Sequence, residues 1–125
     1  MNVHLDTHVA LWIAAGDAKR LRPVASKLRR ARLVVSPVVV VEMEVLREIG
    51  RIRSPVEDIL TILREDHGVA DASGSIADIA GAARPLGWTR DPFDRFIVAH
   101  AVADHATLLT ADVTILEHCA SARWA

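Results

Sequence analysis

Short apolar runs alternate with longer segments of helical spacing along the whole chain. Residues 3–5 and 33–35 have the composition of short strands, and each is followed by a segment whose apolar residues recur every three or four positions. Gly16 and Gly50 stand where these two helices should end. Strands that alternate with helices predict a parallel sheet with helices on both faces. We therefore predict an α/β fold, in which ligands bind at the carboxyl ends of the strands.

The same patterns predict five strands and seven helices. The predicted strands are residues 3–5, 33–35, 69–70, 107–110 and 121–124. The predicted helices are residues 7–15, 23–31, 37–49, 55–65, 76–83, 92–102 and 113–118. Ser54 to Glu57 has the sequence of a capping box. Residues 38–41 are all valine and could instead extend the second strand, but Pro37 lacks the N–H that a central strand needs, which favours a helix capped by Ser36.

Composition indicates one globular domain, residues 1–125, with enough apolar residues to build a core. Cys119 is the only cysteine, so no disulfide can form within the chain, and it is expected to be a buried or edge residue. We find no signal peptide and no apolar stretch long enough for a membrane span, so we expect a cytoplasmic protein that does not enter the membrane. A net charge of −1 argues against a basic protein that wraps nucleic acid. A nuclease is not excluded, because metal ions can supply the positive charge that faces a phosphate.

Four acidic residues, Asp6, Glu42, Asp94 and Asp112, adjoin apolar runs near strand ends or on an apolar helix face. An ionised carboxylate there needs a hydrogen bond, a proton or a cation. Each acid also has a structural interpretation. Asp6 and Asp112 could be helix N-caps, and Asp94 could simply favour a helix N-terminus, where we expect Asp91 to be the cap. For Asp6 we consider the two interpretations equally supported.

Glu42 is the most informative of the four. Its neighbours three and four positions away are all apolar: Val38, Val39, Val45 and Leu46. Glu44 on the same helix has a mixed, charged neighbourhood, and we expect it to be solvated. An unpaired carboxylate on a buried helix face is rare, so Glu42 suggests a functional site.

The set of acids indicates a hard cation, Mg²⁺ or Mn²⁺, since all the candidate ligands are oxygens. The six histidines do not have zinc-site spacing, and we expect structural or surface roles for them. Thr110 could bond a neighbouring carboxylate, although an ordinary strand role is slightly favoured. Arg95 could contact phosphate or pair with an acid. A basic stretch at residues 20–32 could follow a nucleic-acid backbone, but a solvated helix face is the better interpretation for most of it.

Four ordered segments resemble the PIN-domain nucleases, in particular the VapC-type toxins of bacterial toxin–antitoxin pairs. The matching segments are residues 5–12, residues 36–37 with Glu42 and residues 48–52, residues 90–99, and residues 108–112. The resemblance implies a three-layer α/β/α fold with a central five-stranded parallel sheet. It also implies Mg²⁺-dependent endoribonuclease activity and a cognate antitoxin that covers the site. By position, the four acids match the acidic set of the family, and Asp6 and Asp94 are expected to contact the metal directly. The resemblance also makes Asp91 a possible accessory acid.

Three other functions make different demands on the sequence. A phosphoacceptor receiver domain would need a lysine after a late strand, but the last lysine is Lys27. A phosphatase of the haloacid-dehalogenase type would need an aspartate two residues after Asp6, where His8 stands. A non-catalytic PIN-like interaction module is the remaining alternative. The small apolar residues of segment 69–83 could form a homodimer or antitoxin interface, or equally a core helix.

Overall fold

A computed structural model describes residues 2–125 and shows a sheet of five parallel strands. The strands are β1 (Asn2–Leu5), β2 (Arg32–Val35), β3 (Ala70–Asp71), β4 (Thr107–Leu109) and β5 (Ala122–Arg123). Their order across the sheet is β3-β2-β1-β4-β5. In β1, Val3 is in register with Leu33 on one side and Thr107 on the other. The first strand therefore lies at the centre, and its carboxyl end is flanked by those of β2 and β4.

Residues 2–125 also form eight α-helices and one 3₁₀ turn. The helices are α1 (Thr7–Ala15), α2 (Ala18–Leu21), α3 (Ala25–Arg30), α4 (Pro37–Glu48), α5 (Val56–His67), α6 (Ile76–Ala83), α7 (Pro92–Ala103) and α8 (Val113–His118), and the 3₁₀ turn is Arg22–Val24. Together with the sheet they make the three-layer α/β/α arrangement that was predicted, with a central five-stranded parallel sheet. Helices α1, α6 and α8 have the predicted bounds.

Two local predictions were wrong. The helix predicted at residues 23–31 is replaced by the 3₁₀ turn, which contains Pro23, and by α3. A further short helix, α2, precedes them and was not predicted; Asp17 caps its start by accepting from the Arg20 N–H. The capping box predicted at Ser54 is not formed, since Pro55 is the N-cap residue of α5 and no side chain bonds the helix end. The start of α5 is instead marked by the acidic residues Glu57 and Asp58 in its first turn.

The core lies around the sheet and the helices that follow its central strands. Leu5, Leu108 and Ile97 are fully buried, and Val39 and Met43 are the buried residues of α4. Cys119 is buried and free, as expected. No helix within residues 2–125 has the length and apolar character needed to cross a membrane.

Segment 69–83 is partly core and partly surface. Ile79 and Ala83 of α6 pack against Ala99 of α7 in a small apolar cluster. Ile76, at the start of α6, is 71% exposed. The structure therefore supports both the core and the interface interpretation in part. One side of α6 packs in the core, and Ile76 on its other side is exposed.

Candidate active site

Asp6 lies at the carboxyl end of β1 and is also the N-cap of α1. Its Oδ1 atom accepts a 2.8 Å hydrogen bond from the Thr7 N–H, and its Oδ2 atom accepts a 2.6 Å bond from the Thr110 hydroxyl. The residue is only 6% exposed. Burial raises the pKa of Asp6, and the hydrogen bonds from Thr110 and Thr7 oppose that rise. The capping and strand-end interpretations both hold, because the same carboxylate ends the strand and begins the helix.

Glu42 projects from α4 toward the start of α1. Its Oε1 atom accepts a hydrogen bond from the Thr7 hydroxyl, so Thr7 contacts two of the candidate acids. Glu42 is half-buried, whereas Glu44 is exposed, as their neighbours in the sequence indicate. Burial is the main cause that raises the pKa of Glu42, and the Thr7 bond opposes it.

Two acids lie at the start of α7. Asp91 is the N-cap, and its Oδ1 atom accepts from the N–H groups of Phe93 at 2.9 Å and Asp94 at 3.1 Å. Asp94 is half-buried, and no side chain within residues 2–125 donates a hydrogen bond to its carboxylate. Burial, followed by the charges of neighbouring acids, raises the pKa of Asp94 to about 7. The acids responsible are Asp91, Asp6, Glu42 and Asp112, in that order.

Asp112 follows β4 and caps α8. Its Oδ1 atom accepts a 3.1 Å bond from the Ile115 N–H, and its own N–H donates to the Thr110 hydroxyl at 3.0 Å. Thr110 is fully buried, so one hydroxyl group joins Asp112 to Asp6. The preference for an ordinary strand role at Thr110 was therefore wrong: its side chain bonds a carboxylate of the site.

These acids meet in one cleft at the carboxyl edge of the sheet. A cavity of about 330 Å³ is lined by Asp6, His8, Trp12, Glu42, Asp91, Asp94, Ala111 and Asp112. The four candidate acids and the possible accessory acid are thus neighbours in space, although up to 106 positions separate them in the numbering from Asp6 to Asp112. We call this cavity the acidic cleft. The roles of its side chains in catalysis and metal binding stay predictions.

Arg95 is not among the residues that line the acidic cleft. Its guanidinium donates to the backbone carbonyls of Ala83 at 2.9 Å, Arg84 at 2.8 Å and Thr89 at 3.4 Å. The ion pair with an acid, one of the two alternatives, is absent among residues 2–125, whereas the phosphate contact stays a prediction. Arg95 instead satisfies carbonyls at the end of α6, because the last turn of a helix leaves them without partners.

Histidines occupy three different settings. His4 is buried and its Nε2 atom lies 2.7 Å from an Asp104 carboxylate oxygen. His100 is buried and hydrogen-bonded to Ser36 and to the Ser73 carbonyl, each at 2.8 Å. These contacts fit the structural roles expected for both. His8 is exposed and lines the acidic cleft, a position that its place two residues after Asp6 could have indicated.

The donor set of the cleft fits a hard divalent cation. Every candidate ligand is a carboxylate oxygen. Burial, followed by repulsion from the neighbouring acids, raises the pKa of Asp94, and a bound cation would favour the charged carboxylate against both effects. Within residues 2–125 no three His, Cys, Asp or Glu side chains are close enough together to form a ready-made metal group. The carboxylates share one cleft without meeting at a single point, and a bound cation stays a prediction.

A three-layer α/β domain with an acidic cleft at the carboxyl edge of its sheet defines the class of this molecule. The sequence profile described as PIN domain matches residues 3–120, and the chain belongs to the PIN domain family. No curated protein sequence matches the chain significantly.

Several solved structures share the fold over nearly their whole length. They include a chain of VapBC2 from Rickettsia felis, solved bound to a DNA fragment from its promoter, with a TM-score of 0.70, 17% identity, and coverage of 100% of this chain and 98% of that chain. A chain of VapBC-1 from nontypeable Haemophilus influenzae has a TM-score of 0.65, 21% identity and coverage of 100% and 97%. A chain of DNA-bound VapBC from Salmonella typhimurium has a TM-score of 0.59, 19% identity and coverage of 100% and 97%. At these identities the similarity establishes the fold.

Proposed function

We propose that this protein is a Mg²⁺-dependent endoribonuclease and the toxin component of a toxin–antitoxin pair. The observation that carries the proposal is the acidic cleft itself. Five carboxylates line one cavity, and burial together with their mutual repulsion raises the pKa of Asp94 to about 7. A cluster of like charges with a strongly shifted pKa in a cleft is typical of a catalytic or ion-binding site.

The residues that would hold the cation are Asp6 and Asp94, with Glu42 and Asp112 beside them. Bound Mg²⁺, or Mn²⁺ in its place, supplies positive charge opposite the phosphate and makes a water molecule more acidic. Asp6 is already oriented, because Thr7 and Thr110 each bond one of its oxygens. Glu42 is held by Thr7 in the same way. Fixed carboxylates of this kind keep the geometry of the site while a phosphodiester is cleaved.

Proton transfer is the second task of the cleft. Hydrolysis of a phosphodiester requires that the attacking water lose a proton, and a nearby carboxylate can accept it. A carboxylate whose pKa lies close to neutrality does this best, and in the metal-free protein burial raises the pKa of Asp6, Glu42 and Asp94 in that direction. An acid of this set that does not contact the cation is the proposed base, and the others are the proposed ligands.

The proposed partners are RNA, a cognate antitoxin and a second copy of the chain. The solved structures of similar fold are VapBC complexes, which supports an antitoxin as a partner. The exposed side of α6, with Ile76 71% exposed, supports a homodimer or antitoxin contact at segment 69–83.

The test is RNA cleavage by purified protein. Incubation with total RNA, with Mg²⁺ or with EDTA, followed by mapping of the new RNA ends, should show cuts only with Mg²⁺. Asp94→Asn and Glu42→Gln should lower the cleavage rate about 100-fold or more, since each removes a charge from the reacting site. Glu44→Gln is the matched control, because Glu44 is on the same helix as Glu42 but is exposed outside the cleft.

Cleavage that continues in EDTA would contradict metal dependence. Absence of any Mg²⁺-dependent cut would leave the non-catalytic PIN-like module as the function of the domain. Loss of activity in Glu44→Gln equal to that in Glu42→Gln would show that the acidic cleft is not the reacting site.

A further inference from the structure

A larger cavity opens beside the acidic cleft. Its volume is about 540 Å³, and His8 and Trp12 line both cavities. Three arginines also line it: Arg20, Arg51 and Arg53. We call this cavity the arginine groove. Since the two cavities share wall residues, they lie next to each other along α1.

The three arginines differ in whether their guanidinium groups have partners within the protein. Arg20 pairs with Asp17 at 3.5 Å, and its guanidinium carbon lies 5.4 Å from the centre of the Trp12 ring. Arg51 and Arg53 are both exposed, and within residues 2–125 neither lies within ion-pair distance of a carboxylate. Two guanidinium groups are therefore available to an anion at the rim of the groove. Guanidinium binds phosphate well, because its planar fork matches two oxygens at once.

The inner walls of the groove are mostly apolar. Leu11 of α1, Ile52 of the α4–α5 connection and Ile59 of α5 contribute to them, with Trp12 at the side nearest the acidic cleft. Apolar and aromatic surface suits the flat face of a nucleotide base. The volume is within the range of pockets that bury a small organic group of nucleotide size.

We propose that the arginine groove binds the RNA strand next to the phosphodiester that is cleaved. Arg51 and Arg53 contact backbone phosphates, and the apolar wall with Trp12 contacts a base. This inference rests on the proposed ribonuclease function, and it identifies where the substrate is held rather than where it reacts. The basic stretch at residues 20–32 contributes only Arg20 to this surface; the two free arginines come from the connection between α4 and α5.

Charge favours an RNA strand over a protein partner as the occupant. The acidic cleft carries five carboxylates, which repel phosphate, so a substrate needs positive charge close by. The arginine groove supplies it, with three arginines against two acids, Asp17 and Asp58, in its lining. The shared wall at His8 and Trp12 places that charge directly beside the cleft.

The test measures RNA binding separately from cleavage. All variants are made in the Asp94→Asn background, and fluorescence anisotropy follows a labelled single-stranded RNA oligonucleotide over a range of salt concentrations. The pair Arg51→Ala/Arg53→Ala should weaken binding about tenfold or more, and the slope of log affinity against log salt should fall by about 1.4, since a single strand loses about 0.7 for each cation removed. Arg51→Lys/Arg53→Lys should recover most of the salt slope, because the charges are kept.

Arg29→Ala/Arg30→Ala is the matched control, since it removes two exposed arginines of α3 that lie outside the arginine groove. Circular dichroism of each variant checks that it folds. The proposal is overturned if the oligonucleotide does not bind, or if the groove pair and the control pair change affinity and salt slope equally. Unchanged RNA binding with altered self-association in light scattering would also overturn it and would make the groove a protein interface.

The groove assignment and the ribonuclease assignment can fail independently of each other. If wild-type protein cleaves RNA with Mg²⁺ but loss of Arg51 and Arg53 leaves binding unchanged, the groove assignment fails alone. If the groove pair loses RNA affinity while wild-type protein makes no cuts, the ribonuclease assignment fails alone.

Discussion

The carboxylates of the acidic cleft differ in the hydrogen bonds that they accept. Asp6 has a hydrogen bond to each oxygen, Glu42 has one from Thr7, and Asp112 and Asp91 accept from backbone N–H groups. No side chain within residues 2–125 donates to Asp94, and burial with four neighbouring acids raises its pKa to about 7. Asp94 is therefore the acid that gains most from a cation.

The raised pKa of Asp94 predicts a pH dependence of stability. Its folded value of about 7 lies above the usual 3.8, so the folded state binds more protons than the unfolded state between these values. Stability must then fall as the pH rises from about 4 to about 7 in the absence of divalent metal. Asp94→Asn removes this loss, so the variant should melt close to wild type near pH 4 and clearly above it at pH 8.

The Tm of Asp94→Asn must be compared with that of wild type at each pH, because other groups also change protonation between about pH 4 and 7. Burial lowers the pKa of His4, which makes stability rise with pH below 6.5 and opposes the effect of Asp94. The difference in Tm between Asp94→Asn and wild type cancels that contribution. Asp66→Asn, at an exposed acid of α5, is the control for the loss of one carboxylate. A difference for Asp94→Asn that changes with pH no more than the difference for Asp66→Asn would show that the Asp94 carboxylate is not destabilised by its surroundings.

Side-chain partners were the part of the site that the sequence predicted least well. The acids Asp6, Glu42, Asp94 and Asp112 could be selected because carboxylates beside apolar runs are unusual. The Thr110 hydroxyl bond and the carbonyl contacts of Arg95 depend on residues 104 and 12 positions away, respectively. No local pattern reports such contacts, so the strand role favoured for Thr110 and the ion pair considered for Arg95 were wrong.

Two helix starts of the acidic cleft come directly after a strand. Asp6 follows β1 and caps α1, and Asp112 follows β4 and caps α8, whereas Asp91 caps α7 after the connection from α6; all three line the acidic cleft. In a parallel sheet the strands all end at one edge, and the helices that follow begin there. Capping and a place in the cleft are therefore compatible functions of one aspartate, although from sequence they looked like alternatives.

The α6–α7 connection depends on Arg95. Arg95→Met should destabilise the domain by about 2–4 kcal/mol, because a hydrogen bond to a charged group contributes about 1.5–3 kcal/mol and the side chain is only partly buried. Urea denaturation measures this loss. Arg90→Met is the matched control in the same connection, since Arg90 is exposed and has no side-chain hydrogen bond among the described residues. Equal stability of the two variants would contradict the role assigned to Arg95.

Helices with strong end signals were predicted accurately, and those without were not. Ser36 with Pro37 and Asp91 with Pro92 mark the starts of α4 and α7, and both helices begin there. The region of α2, the 3₁₀ turn and α3 has no such pair: one helix was predicted at residues 23–31, and α2 was not predicted. The capping box predicted at Ser54 was wrong, since the side chain of that serine makes no bond to the end of α5. Local signals compete with tertiary packing, and the packing decides.

The overall topology follows from chirality and hydrophobic pattern. A strand, a helical connection and a parallel strand can be joined in few ways, so five apolar runs with helices between them led to the correct class of sheet. The order β3-β2-β1-β4-β5 places β1 at the centre and brings Asp6 between the ends of β2 and β4. Distances between the acids could not be predicted, since they depend on how far each helix projects over the edge of the sheet.

The central claim is that the carboxylates of the acidic cleft bind a divalent cation. Calorimetric titration of Mn²⁺ into the metal-free protein tests it directly, with wild type, Asp94→Asn and Glu44→Gln compared at neutral pH. We expect saturable binding to wild type and Glu44→Gln, and binding about tenfold or more weaker in Asp94→Asn. Absence of Mn²⁺ binding to wild type, or equal binding to Asp94→Asn, would contradict the claim.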